Sequence, residues 1–347
     1  MSEGADPAVV GPYLAEALAD SAWKDCAVSL IAGGKSNLTY RVDSPAGSLV
    51  LRRPPLGHVL PTAHDMGREF RVMSGLQQTD VPVPRMLHFC EDAEVLGQPF
   101  YVMERVEGHI VTSKLPPGYA ETLEDRTALS NGLVDVLAAL HSVDYEAAGL
   151  GEFGRPDGYM ARQLSRWSKQ WDATRIDGMT QVDDLAAALT AQLPTTQRSS
   201  IVHGDYRLDN TMLLPTEVGR INAVLDWEMS TLGDPLADLG ILLVYWAQES
   251  DPELRKQGAP VGAVTSLPGF LTREEVASGY ASRTGLDVTD LPWYVAFGFF
   301  KLAVVCAGIA MRVKFGAMVG DGFDGFEDRV PPLIMIGQAT LADRQLY

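Results

Sequence analysis

Asp205, Asn210 and Asp226 are the residues whose types and spacing point most directly to chemistry. The first two stand five positions apart in IVHGDYRLDN, residues 201–210, and the third lies in RINAVLDWE, residues 220–228. Between them, TMLLP and RINAVLD have the pattern of two hairpin strands, and a hairpin returns its ends to one place, so the three side chains are expected to converge at its open end. Two carboxylates and an amide oxygen facing one cavity supply hard oxygen ligands for Mg2+, with one carboxylate left over as a base. That is the equipment of phosphoryl transfer, where catalysis is mostly positioning and charge neutralisation. Asp and Asn also cap ordinary loops, so the combined spacing on an apolar hairpin carries the reading.

Such residues need a scaffold, and the rest of the chain has two kinds. After an opening helix near residues 7–20, AVSLIAGG, SNLTYRVDS and SLVLRRPP are short β-rich runs separated by the turn signals GGK and SPAG, which gives three antiparallel strands. HDMGREFRVMSGL, residues 64–76, sets Phe70, Met73 and Leu76 at helical spacing; VPVPRMLHFCE is extended, and QPFYVMERVEG has the character of a buried strand ending at Gly108. The expected fold class is α+β: a small N-lobe over residues 1–104 with an antiparallel five-stranded sheet and one main helix, a hinge at 105–109, and a larger mostly helical C-lobe over 110–347. In that larger part strands return only at SSIVHGD, NTMLLP and RINAVLDWE.

Composition narrows the partners. With 28 Lys and Arg against 45 Asp and Glu, the 347-residue chain carries a formal charge of -17, which repels nucleic acid and anionic membrane surfaces. An anionic ligand must be held by a local cluster of cations. Cys26, Cys90 and Cys306 are scattered and without metal spacing, as expected of reduced thiols, and MSEGADPAVV has no signal-peptide character, so a cytoplasmic location is the expectation. PWYVAFGFFKLAVVCAGIAM, residues 292–311, is long enough to span a bilayer, but Lys301 at its centre costs about 2.5–3.5 kcal/mol on insertion scales. A buried helix with no membrane partner is the expectation.

HGDYRLDN, LDWE and LGDPLADLG together resemble the aminoglycoside phosphotransferase family, relatives of the protein kinases, along nearly the whole chain. Gly204 stands where protein kinases write an arginine, as in small-molecule kinases. VLRRPP, HDMGREF, RQLSRWSKQW and HGDYRLDN are similar to the branch found beside or fused to acyl-CoA dehydrogenases. The resemblance implies a protein-kinase-like two-lobed fold, with ATP and Mg2+ as cofactors. It makes Asp205 the catalytic base and Asn210 and Asp226 the metal ligands, puts Met103 behind the adenine with the Glu104 carbonyl and Val106 N–H on the base edge, and sets Gly34, Lys35, Ser36 and Asn37 over the phosphates. Protein kinases carry a third-strand lysine held by a helix glutamate; here Arg52 or Arg53 replaces it, and alternation favours Arg52 paired with Glu69, with Lys35 as a second cation.

His203 is expected to brace the loop, and Asp234 and Pro235 to cap the following helix, with Asp238 one turn on. Arg162, Arg166 and Lys169 form one basic helix face, which is either a solvated surface or, with Trp167 or Trp171 and with Arg207, the receiver of an anionic small-molecule acceptor. Polycationic aminoglycosides prefer acidic pockets, so a basic face favours a hydroxyacyl-CoA or hydroxy acid as acceptor. An aminoglycoside or amino-sugar kinase is the competing enzyme. A nucleotide-binding protein that transfers nothing is the competitor from another class, suggested by the third-strand arginine. The sequence leaves the oligomeric state open.

Overall fold

The computed structural model describes residues 4–32, 37–56, 65–258, 264–315 and 325–347. The chain forms two compact units. The first holds Met1–Glu107, Tyr145–Phe153 and Asn222–Ser230; the second holds Gly108–Asp144, Gly154–Ile221 and Thr231–Tyr347. The first break lies within the stretch 105–109 expected to be a hinge, whereas the two later segments are built into the first unit rather than into a continuous 110–347. Asp226 therefore belongs to the first unit, with the N-terminal strands.

In the first unit, helix α1 (Pro7–Ala17) starts at Asp6, whose carboxylate accepts the Ala8 N–H at 2.9 Å, with proline in its first turn. Strands β1 (Ala27–Ala32), β2 (Leu38–Ser44), β3 (Gly47–Arg53), β4 (Met86–Cys90) and β5 (Phe100–Glu104) form one sheet in the order β1-β2-β3-β5-β4, antiparallel throughout. The β2–β3 hairpin closes at Ser44 opposite Gly47, where the backbone at φ 134 suits glycine. Val10, Leu14, Tyr40, Val42, Leu51, Phe100 and Val102 fill the core beneath the sheet, each such burial contributing about 1.5–3 kcal/mol.

Helix α2 (Met66–Leu76) is capped by Asp65, which accepts the Arg68 N–H at 3.0 Å. Its buried face is Met66, Glu69, Val72, Met73 and Leu76, so a carboxylate occupies a position that helical spacing assigns to the core. Phe70, expected on that face, is only half-buried and stacks on Phe89 with ring centroids 5.4 Å apart. A short helix α3 (Ala93–Leu96) precedes β5.

The second unit is mostly helical: α4 (Leu123–Ser142), α5 (Tyr159–Ala173), α6 (Gln181–Ala191), then β6 (Ser200–Val202), β7 (Thr211–Leu213), β8 (Ile221–Val224) and β9 (Thr231–Gly233), and last α7 (Leu236–Tyr245), α8 (Glu253–Gly258), α9 (Arg273–Thr284), α10 (Leu291–Lys314) and α11 (Val330–Asp343). β8 carries the chain out of this unit after Ile221. β6 and β9 pair antiparallel across the loop that holds Asp205. Gly240 lets α7 and α10 approach closely, since a Cβ there would lie 2.8 Å from the Tyr294 backbone. α10 is long and apolar enough to cross a membrane by length and composition, yet 67% of its most apolar window is buried in the fold.

Candidate active site

Asp205 follows β6 in a turn held by backbone and side-chain donors together. The buried Asp238 of α7 accepts the His203 N–H at 2.6 Å and the Gly204 N–H at 2.8 Å, and its carboxylate also lies 3.3 Å from His141 Nε2. Burial opposes the charge on Asp238, but the hydrogen bond and charge of His141, with those of His203, outweigh it and hold this carboxyl below its usual range. Asp205 donates its own N–H to His203 Nδ1 at 3.3 Å, so His203, fully buried, braces the turn. Gly204 takes φ +85, which a β-branched or bulky residue would adopt only with strain.

The Asp205 carboxylate accepts from Arg207 Nε at 3.2 Å and from Asn210 Nδ2 at 2.9 Å, and Asn210 Nδ2 also reaches the Asp205 carbonyl at 2.8 Å. Asn210 thus spends its amide nitrogen on Asp205, and its amide oxygen remains as the atom suited to a metal. Arg207 also pairs with Asp209 at 2.8 Å and lies over the Tyr245 ring at 4.6 Å. Burial works against its charge, but Asp205, Tyr245 and Asp209 raise its pKa above the ordinary arginine value. Of the residues expected to receive an acceptor, Arg207 is therefore engaged with Asp205, the residue expected to act as base.

In the first unit, Arg52 and Arg53 point to opposite faces of β3, as strand alternation requires. Arg53 is buried on backbone carbonyls, Leu96 O at 2.9 Å, Pro54 O at 3.3 Å and Gly4 O. Arg52 lies between two carboxylates, with Nη2 2.8 Å from Asp226 Oδ1 and Nε 3.5 Å from Glu69 Oε2. Glu69 in turn accepts from Asn37 Nδ2 at 2.6 Å and from the Tyr101 hydroxyl at 2.8 Å. Burial pushes the Glu69 carboxyl up, against the pull of Arg52, and Asp226 adds to the rise. One guanidinium serving two carboxylates leaves a net negative charge, and the Asp226 side chain is 35% exposed. This donor set fits a divalent cation with oxygen ligands.

Met103 is buried, the Glu104 N–H donates to Arg85 O at 2.8 Å, and Val106 is half-buried. Gly34, Lys35 and Ser36 lie outside the described residues. Asn37, expected over the phosphates, directs its side-chain amide to Glu69. On α5, Arg162 donates to the carbonyls of Arg155 and Asp157, whereas Arg166 and Lys169 are exposed along an open depression of about 620 Å³. Motif spacing did not reveal Tyr101, the sharing of Arg52 with Asp226, or Lys301, which donates from the middle of α10 to Gly204 O at 2.8 Å. A lysine inside an apolar helix was the available signal for the last of these.

The family model for the phosphotransferase enzyme family matches residues 27–260, and the chain belongs to that family. A solved structure from Ralstonia eutropha, provisionally described as an aminoglycoside phosphotransferase, shares 34% identity and a TM-score of 0.82, covering 97% of this chain and 98% of its own. Mouse acyl-CoA dehydrogenase family member 10 is 40% identical over 285 residues, 82% of this chain but 26% of the relative, so this chain spans about a quarter of that protein's length. The aminoglycoside phosphotransferase APH(4)-Ia, crystallised with ADP and hygromycin B, shares the fold at TM-score 0.60 and 15% identity, over 94% of this chain and 98% of its own. The fold is the kinase-like one, with a five-stranded antiparallel sheet in one unit and helices dominating the other, and it is the fold of small-molecule phosphotransferases.

Proposed function

We propose that the chain moves the γ-phosphoryl group of ATP to a hydroxyl of a small acceptor, a hydroxyacyl-CoA or a related hydroxy acid. The observation that carries the transfer is the presentation of Asp205: two N–H groups of its turn are fixed on Asp238, and its carboxylate is oriented by Arg207 and Asn210. A carboxylate so held can orient an acceptor hydroxyl and take its proton as the new P–O bond forms. Arg52, steadied by Glu69, is suited to grip phosphate by a fork, and an arginine stays cationic where the kinase lysine would stand. Asn210 and Asp226 are the residues assigned to Mg2+, which when bound would neutralise the charge of the transferring phosphates. Met103, Glu104 and Val106 would face the adenine. The ADP complex of APH(4)-Ia supports ATP as the donor.

Support for an acyl-type acceptor comes from the mouse relative, whose name joins this sequence type to acyl-CoA dehydrogenases, and from the exposed Arg166 and Lys169 on a chain of net charge -17. The test measures ADP formation with hydroxyacyl-CoA thioesters, free hydroxy acids and amino sugars, beside the thermal shift given by MgATP. Turnover with hydroxyacyl compounds is the expected result. Turnover with amino sugars alone would replace the acceptor assignment, and stabilisation by MgATP without turnover on any acceptor would reduce the chain to a binding protein.

A further inference from the structure

Lys301 lies eleventh in a 24-residue helix whose neighbouring turns are Phe297, Phe299, Phe300, Leu302 and Val304, all buried. Desolvating an ammonium is costly, so a lysine at such a position needs a compensating role. Its Nζ donates to Gly204 O at 2.8 Å, on the peptide that leads into Asp205, and lies 5.4 Å from the Trp167 ring centroid on α5. An ammonium has three donors. Among the described residues the Gly204 carbonyl is its one hydrogen-bond partner, and the indole face supplies attraction without an oxygen acceptor. Burial pulls its pKa below the ordinary lysine value, while Asp205 and Asp238 pull it up and Arg166 and Arg207 push it down. The ammonium is therefore within electrostatic reach of the base on one side and of the exposed Arg166 on the other, and the residue is half-buried.

A prop for the Gly204 carbonyl requires only one neutral donor, which glutamine supplies without the cost of a desolvated charge. What glutamine lacks is a charge with donors to spare, beside the base. We infer that Lys301 is a specificity-determining residue of the acceptor site, binding through its remaining donors an acyl oxygen, thioester carbonyl or carboxylate, that lies a few bonds from the hydroxyl presented to Asp205. This rests on the phosphotransfer reading and adds to it the part of the acceptor that is recognised. Trp167 and Arg166 extend the same site along α5, the indole against the acyl chain and the guanidinium towards any further anionic group. Arg162 is not part of it, being held on the carbonyls of Arg155 and Asp157.

The experiment compares wild type, Lys301→Gln, Lys301→Met and Lys301→Arg with three acceptors: a hydroxyacyl-CoA, its free hydroxy acid, and the alcohol of equal length without an acyl oxygen. MgATP affinity and slow ATP hydrolysis by water are measured in parallel. The expected result is a KM for the acyl acceptors at least about tenfold higher in Lys301→Gln, from loss of a charged hydrogen bond. The rise should be confined to the acyl acceptors, with the KM for the alcohol and the MgATP affinity changing less, and with partial recovery in Lys301→Arg. Comparison of thioester with free acid tells which source of the acyl oxygen is used. A wild-type KM for Lys301→Gln, or an equal fall in kcat for all three acceptors in Lys301→Met, would make Lys301 a prop only. If the variants do not fold, the wild type decides: it must prefer the acyl acceptors to the alcohol at least about tenfold in kcat/KM, and equal rates overturn the inference. Transfer to none of the three, with water hydrolysis intact, fails the phosphotransfer reading instead. Calorimetric binding of the hydroxy acid to wild type and Lys301→Gln then decides Lys301 by itself, equal affinity counting against it.

Discussion

Glu69 and Asp238 are both buried carboxylates with polar partners around them, one in either unit, and their surroundings push them in opposite directions. Glu69 accepts from Asn37 and Tyr101 at 2.6 and 2.8 Å and has Arg52 at 3.5 Å. Asp238 accepts from two successive backbone N–H groups at 2.6 and 2.8 Å, with His141 at 3.3 Å. Burial wins at Glu69, whose pKa is raised, and loses at Asp238, whose pKa is lowered. The difference lies in how the positive charge is shared. Arg52 is divided between Glu69 and Asp226, and Asp226 itself disfavours a second negative charge at Glu69. Asp238 has backbone dipoles and two imidazoles nearby. One carboxylate belongs to a finished lock around the Asp205 turn; the other belongs to a cluster with one negative charge in excess, the condition that suits a site for a divalent cation.

The largest effect is expected at the residue the lock presents. Asp205→Asn should lower kcat by about 10²–10⁴-fold, the usual contribution of a positioned base, while MgATP affinity stays near wild type. Steady-state rates and nucleotide titration measure the two. A full rate in this variant would remove Asp205 from the chemistry and leave the lock without a purpose. Next is the lock itself. Asp238→Ala removes the acceptor of the His203 and Gly204 N–H groups and the partner of the buried His141 Nε2, and should cost about 3–5 kcal/mol in urea unfolding. A loss below about 1 kcal/mol, within the range of an exposed pair, would mean that the turn holds its shape without Asp238.

Part of this contrast was legible in the residues alone. Asp205, Asn210 and His203 sit within eight positions, and the choice of Arg52 over Arg53 follows from the two-residue period of a strand, so local spacing was sufficient. Glu69 was nameable as the partner of Arg52, and helical spacing puts it on the face of Met73 and Leu76, but that spacing named neither Tyr101 nor Asn37 as its other partners. Tyr101, Asn37 and Asp226 reach that cluster from positions 32 residues away or more, and Lys301 reaches Gly204 across 97. Contacts of that kind are set by packing between elements, which no local period encodes. Arg207 is the local exception: Asp205 and Asp209, two residues to either side of it, hold the guanidinium whose basic character suggested an acceptor ligand.

Two tyrosines give a smaller, paired test of charge sharing. Tyr101 donates to the Glu69 carboxylate at 2.8 Å, and Tyr206 donates to the neutral Leu133 carbonyl at 2.9 Å, both from fully buried rings. A hydrogen bond to a charged group contributes about 1.5–3 kcal/mol and a neutral one about 0.5–1.5 kcal/mol. Tyr101→Phe should therefore destabilise more than Tyr206→Phe in urea titrations. Tyr101→Phe should also weaken MgATP binding, because Glu69 then steadies Arg52 less well; equal effects on stability would show that Glu69 is held as a neutral acid.

The dependence of stability on pH separates the two carboxylates by sign. Asp238 has a folded pKa below the ordinary 3.8, so the folded chain binds fewer protons there than the unfolded one as pH falls below about 4; its contribution is present above that pH and is lost as pH drops through the folded value. Glu69 has a folded pKa above 4.5, so between 4.5 and that value the folded chain keeps a proton the unfolded chain has released, and stability falls as pH rises through the window. Urea midpoints of Asp238→Asn and Glu69→Gln, each taken as a difference from wild type between pH 3 and pH 7, should run in opposite directions. The Asn variant should lose ground to wild type as pH rises, whereas the Gln variant should gain it. Added Mg2+ with nucleotide should flatten the Glu69 difference and leave that of Asp238 unchanged, because only the cluster containing Asp226 has a negative charge left for a cation to meet.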